Sequence, residues 1–450
     1  MPVENWMQFG TFAEQEEFIY PSRDAYAGVM INGNMVAHTP SAMAGFLLER
    51  IPASTKFIID PFTHAFQHSP AFITGKKGEI KTSISKLAER YESPIVENLG
   101  SRPLAPKDFT EKNIRKYTEK VLEFQRCFLH DYMINSEVAK YFDEDEVKRE
   151  PYALVAPYFY LTDINHEHWT EISIKLLRIA RNYTSEKEKK LFCNLVINKG
   201  LMQSEDVIAE IISKLKNEKP DGFIVWIDDL DEASCSISEL HSLIKIFKLI
   251  RSNKDIELIN LHGGYFSILS GAEDFGSLAT GVCHGPEYGE SRAVVPVGGG
   301  IPTSKYYIPD LHSREKYRDC LMWFNKAGWL ENHENFHHSV CNCRQCVKVI
   351  DGNIENFTKF GGEGTTKTIQ RGRSVVNLQF PTRDEKTNCL RHYLNVKSKE
   401  YEKANTLSGG ELISDLSSSI QKYIEITGPE YISHLFRWRQ ILESESGTTD

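Results

Sequence analysis

The sequence predicts an α/β fold: a (β/α)8 TIM-type barrel followed by a C-terminal zinc-binding helical subdomain. Three observations lead there. Short continuous apolar runs, such as Phe57-Ile58-Ile59 and Phe223-Ile224-Val225-Trp226-Ile227, end on polar residues. That is the pattern of strands covered on both faces, as in a parallel sheet. From residue 152 onward these runs alternate with amphipathic stretches of helical period, which makes βα units. Finally, Cys341-Asn342-Cys343-Arg344-Gln345-Cys346 gathers three thiols in one turn, while the other cysteines of the nine are scattered.

Taken in order, 27–33 and 56–59 read as buried strands, the second running into Asp60. Residues 70–110 read as an insertion carrying one short helix around 83–91. Residues 110–133 read as a helix, with Ile114, Tyr117, Val121 and Phe124 at spacings of three and four. The charged stretch 143–150 reads as a solvated connection. Strands follow at 152–159, 191–197, 222–227, 256–261 and 276–283, separated by helices at 168–183, 204–217 and 236–251 and a short one from Phe266. A further candidate strand at 293–297 brings the count to eight, which favours a closed barrel over an open doubly wound sheet. No repeat period suggests a solenoid. After residue 315 come a helix at 315–327, a His-rich stretch at 332–338, the cysteine cluster, a Gly/Asn/Thr-rich mobile loop at 351–372, helices at 383–403 and 411–426, and a disordered tail from 444. The expected domains are a barrel over 1–325 and a zinc-binding subdomain over 326–450.

A formal net charge of -9 over 450 residues argues against wholesale adhesion to nucleic acid and leaves room for a local basic groove. The N-terminal residues show no basic start followed by an apolar run, and no stretch is long and apolar enough to span a bilayer. With thiols arranged for metal rather than for disulfides, a cytoplasmic protein without a membrane partner is expected.

Three thiolates at C-x-C-x-x-C spacing suit tetrahedral zinc, and His392, in a helical stretch, offers the fourth ligand, with His337 or His338 as substitutes. Four protein ligands make a structural site, so the chemistry belongs elsewhere. In a parallel barrel that place is the C-terminal end of the strands. There the sequence offers Asp60 and His64; Asn198 and Lys199; Asp228 and Asp229; and His284, Tyr288 and Glu290. Carboxylates at two strand ends can be tuned apart into nucleophile and acid/base roles. Farther on, Tyr307 and His312 lie among Lys305, Tyr306 and Arg314, a mixture suited to phosphate contact and base stacking. Neither Gly298-Gly299-Gly300 nor its neighbours match a dinucleotide or Walker loop. A hydrolase with its metal in the barrel is a weaker reading, because His64, His262 and His284 form no H-x-H or H-E-x-x-H.

The strings GVCHGPEYGE (281–290), GGGIP (298–302), YYIPDLHSR (306–314) and RHYL (391–394), with C-x-C-x-x-C and a later histidine, resemble the tRNA-guanine transglycosylase superfamily, and more closely its branch that inserts 7-deazaguanines into DNA. The resemblance implies an exchange in which a carboxylate attacks the anomeric carbon of a guanosine, guanine leaves, and a 7-deazaguanine such as 7-cyano-7-deazaguanine takes its place. By that resemblance Asp60 stands where the family has an aspartate after an early strand, Trp226-Ile227-Asp228 where it has a loop flanking the base pocket, and Asn198 and Lys199 after a strand that helps to read the base; Asp60 is the expected principal catalytic carboxylate and Asp228 its support. His64, Asp229, His284, Tyr288, Glu290, Tyr307 and His312 complete the expected substrate contacts. It also implies structural Zn2+ on Cys341, Cys343, Cys346 and His392. Two departures stand out. The tRNA enzymes end their last barrel strand in a Phe-Asp pair, whereas 276–283 holds no carboxylate. And 45 residues lie between Cys346 and His392, more than in those enzymes. No RNA-binding appendage follows the zinc segment, so DNA is the preferred substrate and tRNA the alternative. A further alternative is a non-catalytic, zinc-stabilised nucleic-acid-binding barrel that works with partner proteins.

Overall fold

A computed structural model of the chain describes residues 2–10, 26–75, 78–135, 149–285, 289–295, 303–371 and 374–446. The chain divides into two compact units. The first is Met1–Asp231, Ser236–Gly263 and Ser277–Pro296; the second is Glu232–Cys235, Gly264–Gly276 and Val297–Asp450. Residues 303–325, expected within the barrel portion, fall in the second unit.

The first unit is built on one all-parallel sheet. Its strands are β1 (Glu4–Gln8), β2 (Gly28–Asn32), β3 (Lys56–Asp60), β4 (Leu154–Val155), β5 (Tyr160–Leu161), β6 (Leu191–Ile197), β7 (Gly222–Ile227), β8 (Glu257–Leu261) and β9 (Gly281–His284). The order is β3-β2-β1-β9-β8-β7-β6-β4, and β5 also pairs with β6. β4 meets Leu191 and Phe192 and β5 meets Val196 and Ile197, so the two short strands share one lane and the barrel has eight positions. The barrel is nearly closed. Among the described residues the remaining seam, between β3 and the β4/β5 lane, carries one backbone bond, Tyr152 N–H to Phe57 O at 2.8 Å. Elsewhere side chains bridge it: the Gln125 amide bonds both the N–H and the C=O of Val155. Thr63 Oγ1 does the same for Tyr158, and the Gln67 amide for Tyr160. Buried backbone polar groups need such partners, and here side chains stand in for a missing strand.

Large rings meeting glycines fill the inner layer. Trp6 occupies the space in which a Cβ on Gly28 would lie 2.4 Å away and one on Gly281 2.8 Å away; Phe192 does the same to Gly222 at 2.6 Å. Gly28 and Gly222 are the register partners of Trp6 and Phe192 on adjacent strands, so each ring lies across its neighbour's backbone. At the N-terminal ends of the strands, Lys56 pairs with Glu4 at 2.5 Å and Lys190 with Glu257 at 2.6 Å, and both ammonium groups lie 4.4 Å from the Tyr152 ring centre.

Three sequence expectations need correction. β1 was not anticipated: Asn5 and Gln8 are polar yet buried, which hides the apolar run. The run at 152–159 is broken after Val155, where Pro157 cannot donate a ladder bond. Residues 293–295 form no strand, 296–297 lie outside or at the edge of the described residues, and β1 supplies the missing barrel position. The described residues of the expected insertion at 70–110 form helices at Pro70–Ile73, Thr82–Tyr91 and Ile95–Asn98. Of the connection at 143–150, residues 143–148 lie outside the described residues, and Arg149 donates to the carbonyls of Leu47, Ile51, Pro52 and Thr55.

The second unit contains the antiparallel pair β10 (Lys305–Ile308) and β11 (Ser313–Lys316) and the helices Tyr317–Lys326, His333–Ser339 and Arg344–Ile350. Three long helices follow at Arg383–Thr406, Gly409–Thr427 and Pro429–Ser446. Tyr306, Phe324, Phe336, Phe357 and Phe360 form its aromatic core. The expected mobile loop at 351–372 is instead a 3-10 turn (Ile354–Phe360) and the first strand of a ribbon, β12 (Thr365–Arg371) against β13 (Ser374–Phe380). Helix Pro429–Ser446 takes in the first residues of the expected tail; 447–450 lie outside the described residues.

The Trp6 layer makes a testable case. Gly28→Ala should cost about 1–3 kcal/mol in urea unfolding, and the penalty should shrink markedly in a Trp6→Leu background, because the clash is with that ring.

Candidate active site and metal centre

At the C-terminal ends of the strands the first unit assembles a cluster around β3. Asp60, the last residue of β3, is 1% exposed. Its Oδ1 accepts the Phe62 N–H at 3.0 Å and the Tyr158 hydroxyl at 2.8 Å. Among the described residues nothing donates to Oδ2, so one carboxylate oxygen is anchored and the other is a free edge. Burial raises the Asp60 carboxyl from 3.8 to about 6, against the opposing pull of the Phe62 and Tyr158 bonds and of Arg292. His64 is fully buried, with Nδ1 2.9 Å from the Tyr158 hydroxyl oxygen. Because that hydroxyl donates to Asp60, His64 carries its proton on Nδ1, and Nε2 is a bare acceptor with no partner among the described residues. Burial, with His68 and Arg292 nearby, pushes the imidazole well below its ordinary value, so it is neutral.

Trp226 on β7 stands between two imidazoles, its ring centre 5.2 Å from that of His64 and 5.1 Å from that of His262. Its Nε1 donates to Arg292 O at 3.1 Å. Trp226 and Ile227 end β7, with the bounds expected for that strand, and Asp228 lies just beyond it. Asp228 has both oxygens engaged, Oδ2 by the Tyr160 hydroxyl at 2.6 Å and Oδ1 by Val294 N–H at 2.7 Å. Phe62, Asp229 and His262, each just after a strand, adopt left-handed φ of 56°, 49° and 63°. Strained backbone at three strand ends of one sheet is the kind of outlier that accompanies function.

The other expected contacts have separate fates. Asn198 caps the helix Lys199–Gln203 by accepting the Leu201 N–H at its Oδ1 and donates from Nδ2 to Asp163 Oδ1, a local structural task, while Lys199 opens that helix half-buried. Asp229 is exposed, its N–H bonded to Arg292 O. His284 is a correction: Cys283 belongs to the barrel core, so strand alternation turns His284 outward, where its Nε2 lies 3.1 Å from Asn5 Oδ1. Glu290 is half-buried, and Tyr288 lies outside the described residues. Tyr307 and His312 are also corrections. Instead of an open stacking surface, both are buried against Glu400, at 2.7 and 2.6 Å, beside Lys397. Burial raises the Glu400 carboxyl, but Lys397 and His312 outweigh it and hold it near 2.

Sequence reasoning missed Tyr158 and Tyr160. The available signal was their period-2 spacing just after Pro157, which puts both hydroxyls on one face.

In the second unit, Cys341, Cys343, Cys346 and His392 come together, all buried, with ligand atoms within 4.8 Å of one another. His392 Nδ1 lies 3.9, 3.3 and 3.2 Å from the three sulfurs. Around a tetrahedral ion with thiolate and imidazole ligands such separations are roughly 3.5–3.8 Å, so the residues fit a metal. His392 Nε2 donates to Tyr307 O at 2.6 Å, which leaves Nδ1 free to ligate. Backbone N–H groups of Cys343 and Cys346 point at the sulfurs of Cys341 and Cys343. Tyr306 stacks on His392 at 4.1 Å, and its hydroxyl lies 3.2 Å from Cys346 Sγ. His337, one of the substitute ligands, instead meets Cys341 O at 3.0 Å. Among the described residues no helix is long and apolar enough to cross a membrane.

The chain matches none of the protein-family models and none of the curated proteins with which it was compared.

Two measurements check these assignments. Because the folded Asp60 holds its proton to higher pH than the unfolded chain does, folding loses stability as pH rises from about 4 to about 6, at most about 3 kcal/mol. Asp60→Asn, whose amide oxygen still accepts both bonds, should therefore raise the melting temperature at pH 8 and leave it unchanged at pH 4. Cys343→Ser should lose the bound metal, read by elemental analysis, and unfold the second unit at temperatures the native chain withstands.

Proposed function

We propose that the chain is a base-exchanging transglycosylase, built on a (β/α)8 TIM-type barrel with a structural zinc ion in its second unit, that replaces guanine in a nucleic acid, DNA in preference to tRNA, with a 7-deazaguanine such as 7-cyano-7-deazaguanine. One observation carries this reading: the Asp60 carboxylate, buried at a strand end, is anchored through Oδ1 and free at Oδ2. That is the posture of a nucleophile. The two donors fix its direction and desolvation makes the anion reactive. Asp228, with both oxygens engaged, suits support rather than attack.

In this reading Oδ2 bonds to the anomeric carbon as the glycosidic C–N bond breaks, and the electron pair leaves with guanine, which takes up a proton. N9 of the incoming 7-deazaguanine then bonds to the same carbon, the ester C–O bond breaks, Asp60 is freed, and the N9 proton is lost. Two displacements give retention, as in a retaining glycosidase. Trp226, between two imidazoles, offers a flat wall for a heterocycle. Zinc, when bound by its four protein ligands, holds the second unit's fold and takes no part in the exchange.

The test is incorporation of labelled guanine into DNA and into tRNA by the purified protein. Asp60→Ala should lose at least about a thousandfold in rate, and Asp228→Asn about a hundredfold. A native-like rate from Asp60→Ala would refute the assignment. Binding of the nucleic acid with no trappable covalent adduct would favour a non-catalytic binding barrel.

A further inference from the structure

The long gap between Cys346 and His392 contains the β12/β13 ribbon. Its seven residue pairs run from Thr365–Phe380 to Arg371–Ser374, and every described side chain along it is exposed or half-exposed. A two-stranded ribbon with no cover on either face is marginal by itself in water. This one has secured feet: the buried Glu385 carboxylate takes the N–H groups of Glu363 and Gly364 at one foot and of Thr382 at the other, at 2.8, 3.1 and 2.5 Å. Glu385 lies two turns before His392 on the same helix, so the metal-bearing helix holds the ribbon at its base.

Strand alternation gives the ribbon one wholly polar face apart from Val375. Thr366, Thr368 and Gln370 stand there against Gln379 and Asn377. Gln379 Nε2 donates to Thr366 Oγ1 at 2.9 Å and Thr368 Oγ1 to Asn377 Oδ1 at 2.7 Å, which orients both amides across the strands. The opposite face carries Ile369, Val376, Leu378 and Phe380, with Lys367 over the Phe380 ring. Residues 364–383 hold four cationic side chains, Lys367, Arg371, Arg373 and Arg383, and no acid, in a chain of net charge -9.

We propose that the ribbon inserts its amide and hydroxyl face into the major groove of B-form duplex DNA. The proposal rests on the nucleic-acid reading above and names the partner. A B-form major groove admits a two-stranded ribbon, and glutamine and asparagine read adenine edges there while lysine and arginine meet phosphates. The deep, narrow major groove of A-form RNA excludes it. The ribbon thus discriminates by groove width, independently of the base chemistry.

Full-length protein is titrated, by fluorescence anisotropy, with a labelled DNA duplex of about three helical turns and with its RNA counterpart. The native chain should bind the DNA at least about tenfold more tightly than the RNA. Gln379→Ala, on the inserted face, should weaken DNA binding severalfold. Replacing 365–380 with a short Gly-Ser turn should remove at least about tenfold of DNA affinity, while metal content and melting temperature stay native. Equal affinity for DNA and RNA, or undiminished DNA binding by the ribbonless protein, overturns the proposal. Ribbon-dependent binding without base exchange would sustain it and refute the transglycosylase reading. Native-rate exchange in duplex DNA by the ribbonless protein would do the reverse.

Discussion

A parallel barrel has to satisfy the backbone edge at its closing seam, and in this chain side chains do it. Gln125, Thr63 and Gln67 take the N–H and C=O groups of Val155, Tyr158 and Tyr160 that a continuous strand would have paired. Much of the first unit's chemistry depends on this repair. By gripping the backbone at 158 and 160 it fixes two tyrosines whose hydroxyls hold Asp60 and Asp228. The site is thus an outgrowth of the seam: the interruption that Pro157 imposes frees the lane from strict strand geometry, and the hydroxyls exploit it.

Several elements were legible from residue order alone. The apolar runs of β6, β7 and β8 and the helices between them announced themselves, because burial on both faces leaves unbroken hydrophobic strings. β1 did not, since Asn5 and Gln8 are buried through polar pairing that no hydrophobicity pattern reveals; Gln8, for instance, donates to Asn32 across the sheet. The thiols of the Cys3His cluster were legible because they fall within six residues, whereas the sequence left its histidine open between His392 and His337 or His338. Asp60 and His64 were recognisable as strand-end residues. Their connection through Tyr158 was not, since it joins residues some ninety-four positions apart. His284 shows the opposite failure: proximity to a strand end suggested a mouth residue, and the pleat turned it away.

The stretches 306–314 and 391–394 acquire a physical meaning in the second unit. Tyr306 stacks on His392, Tyr307 receives that histidine's N–H through its carbonyl, and Arg314 lies 3.8 Å from the centre of the Tyr393 ring. His312 lies 3.5 Å from Tyr265 and bonds Glu400. Residues that read as an exposed cationic and aromatic surface are the shell that orients the metal ligands and joins β10 to the long helix. Aromatic and charged composition fits either use; only burial separates them.

The ion-paired floor gives the barrel a further property. With Lys56–Glu4 and Lys190–Glu257 paired beside Tyr152 at the N-terminal ends of the strands, and Trp6 and Phe192 lying across glycine backbone within, the barrel interior is filled by side chains rather than hollow. A filled interior leaves a ligand of the first unit to meet its polar groups at the C-terminal ends of the strands, where Asp60, His64 and Asp228 gather around the two seam tyrosines.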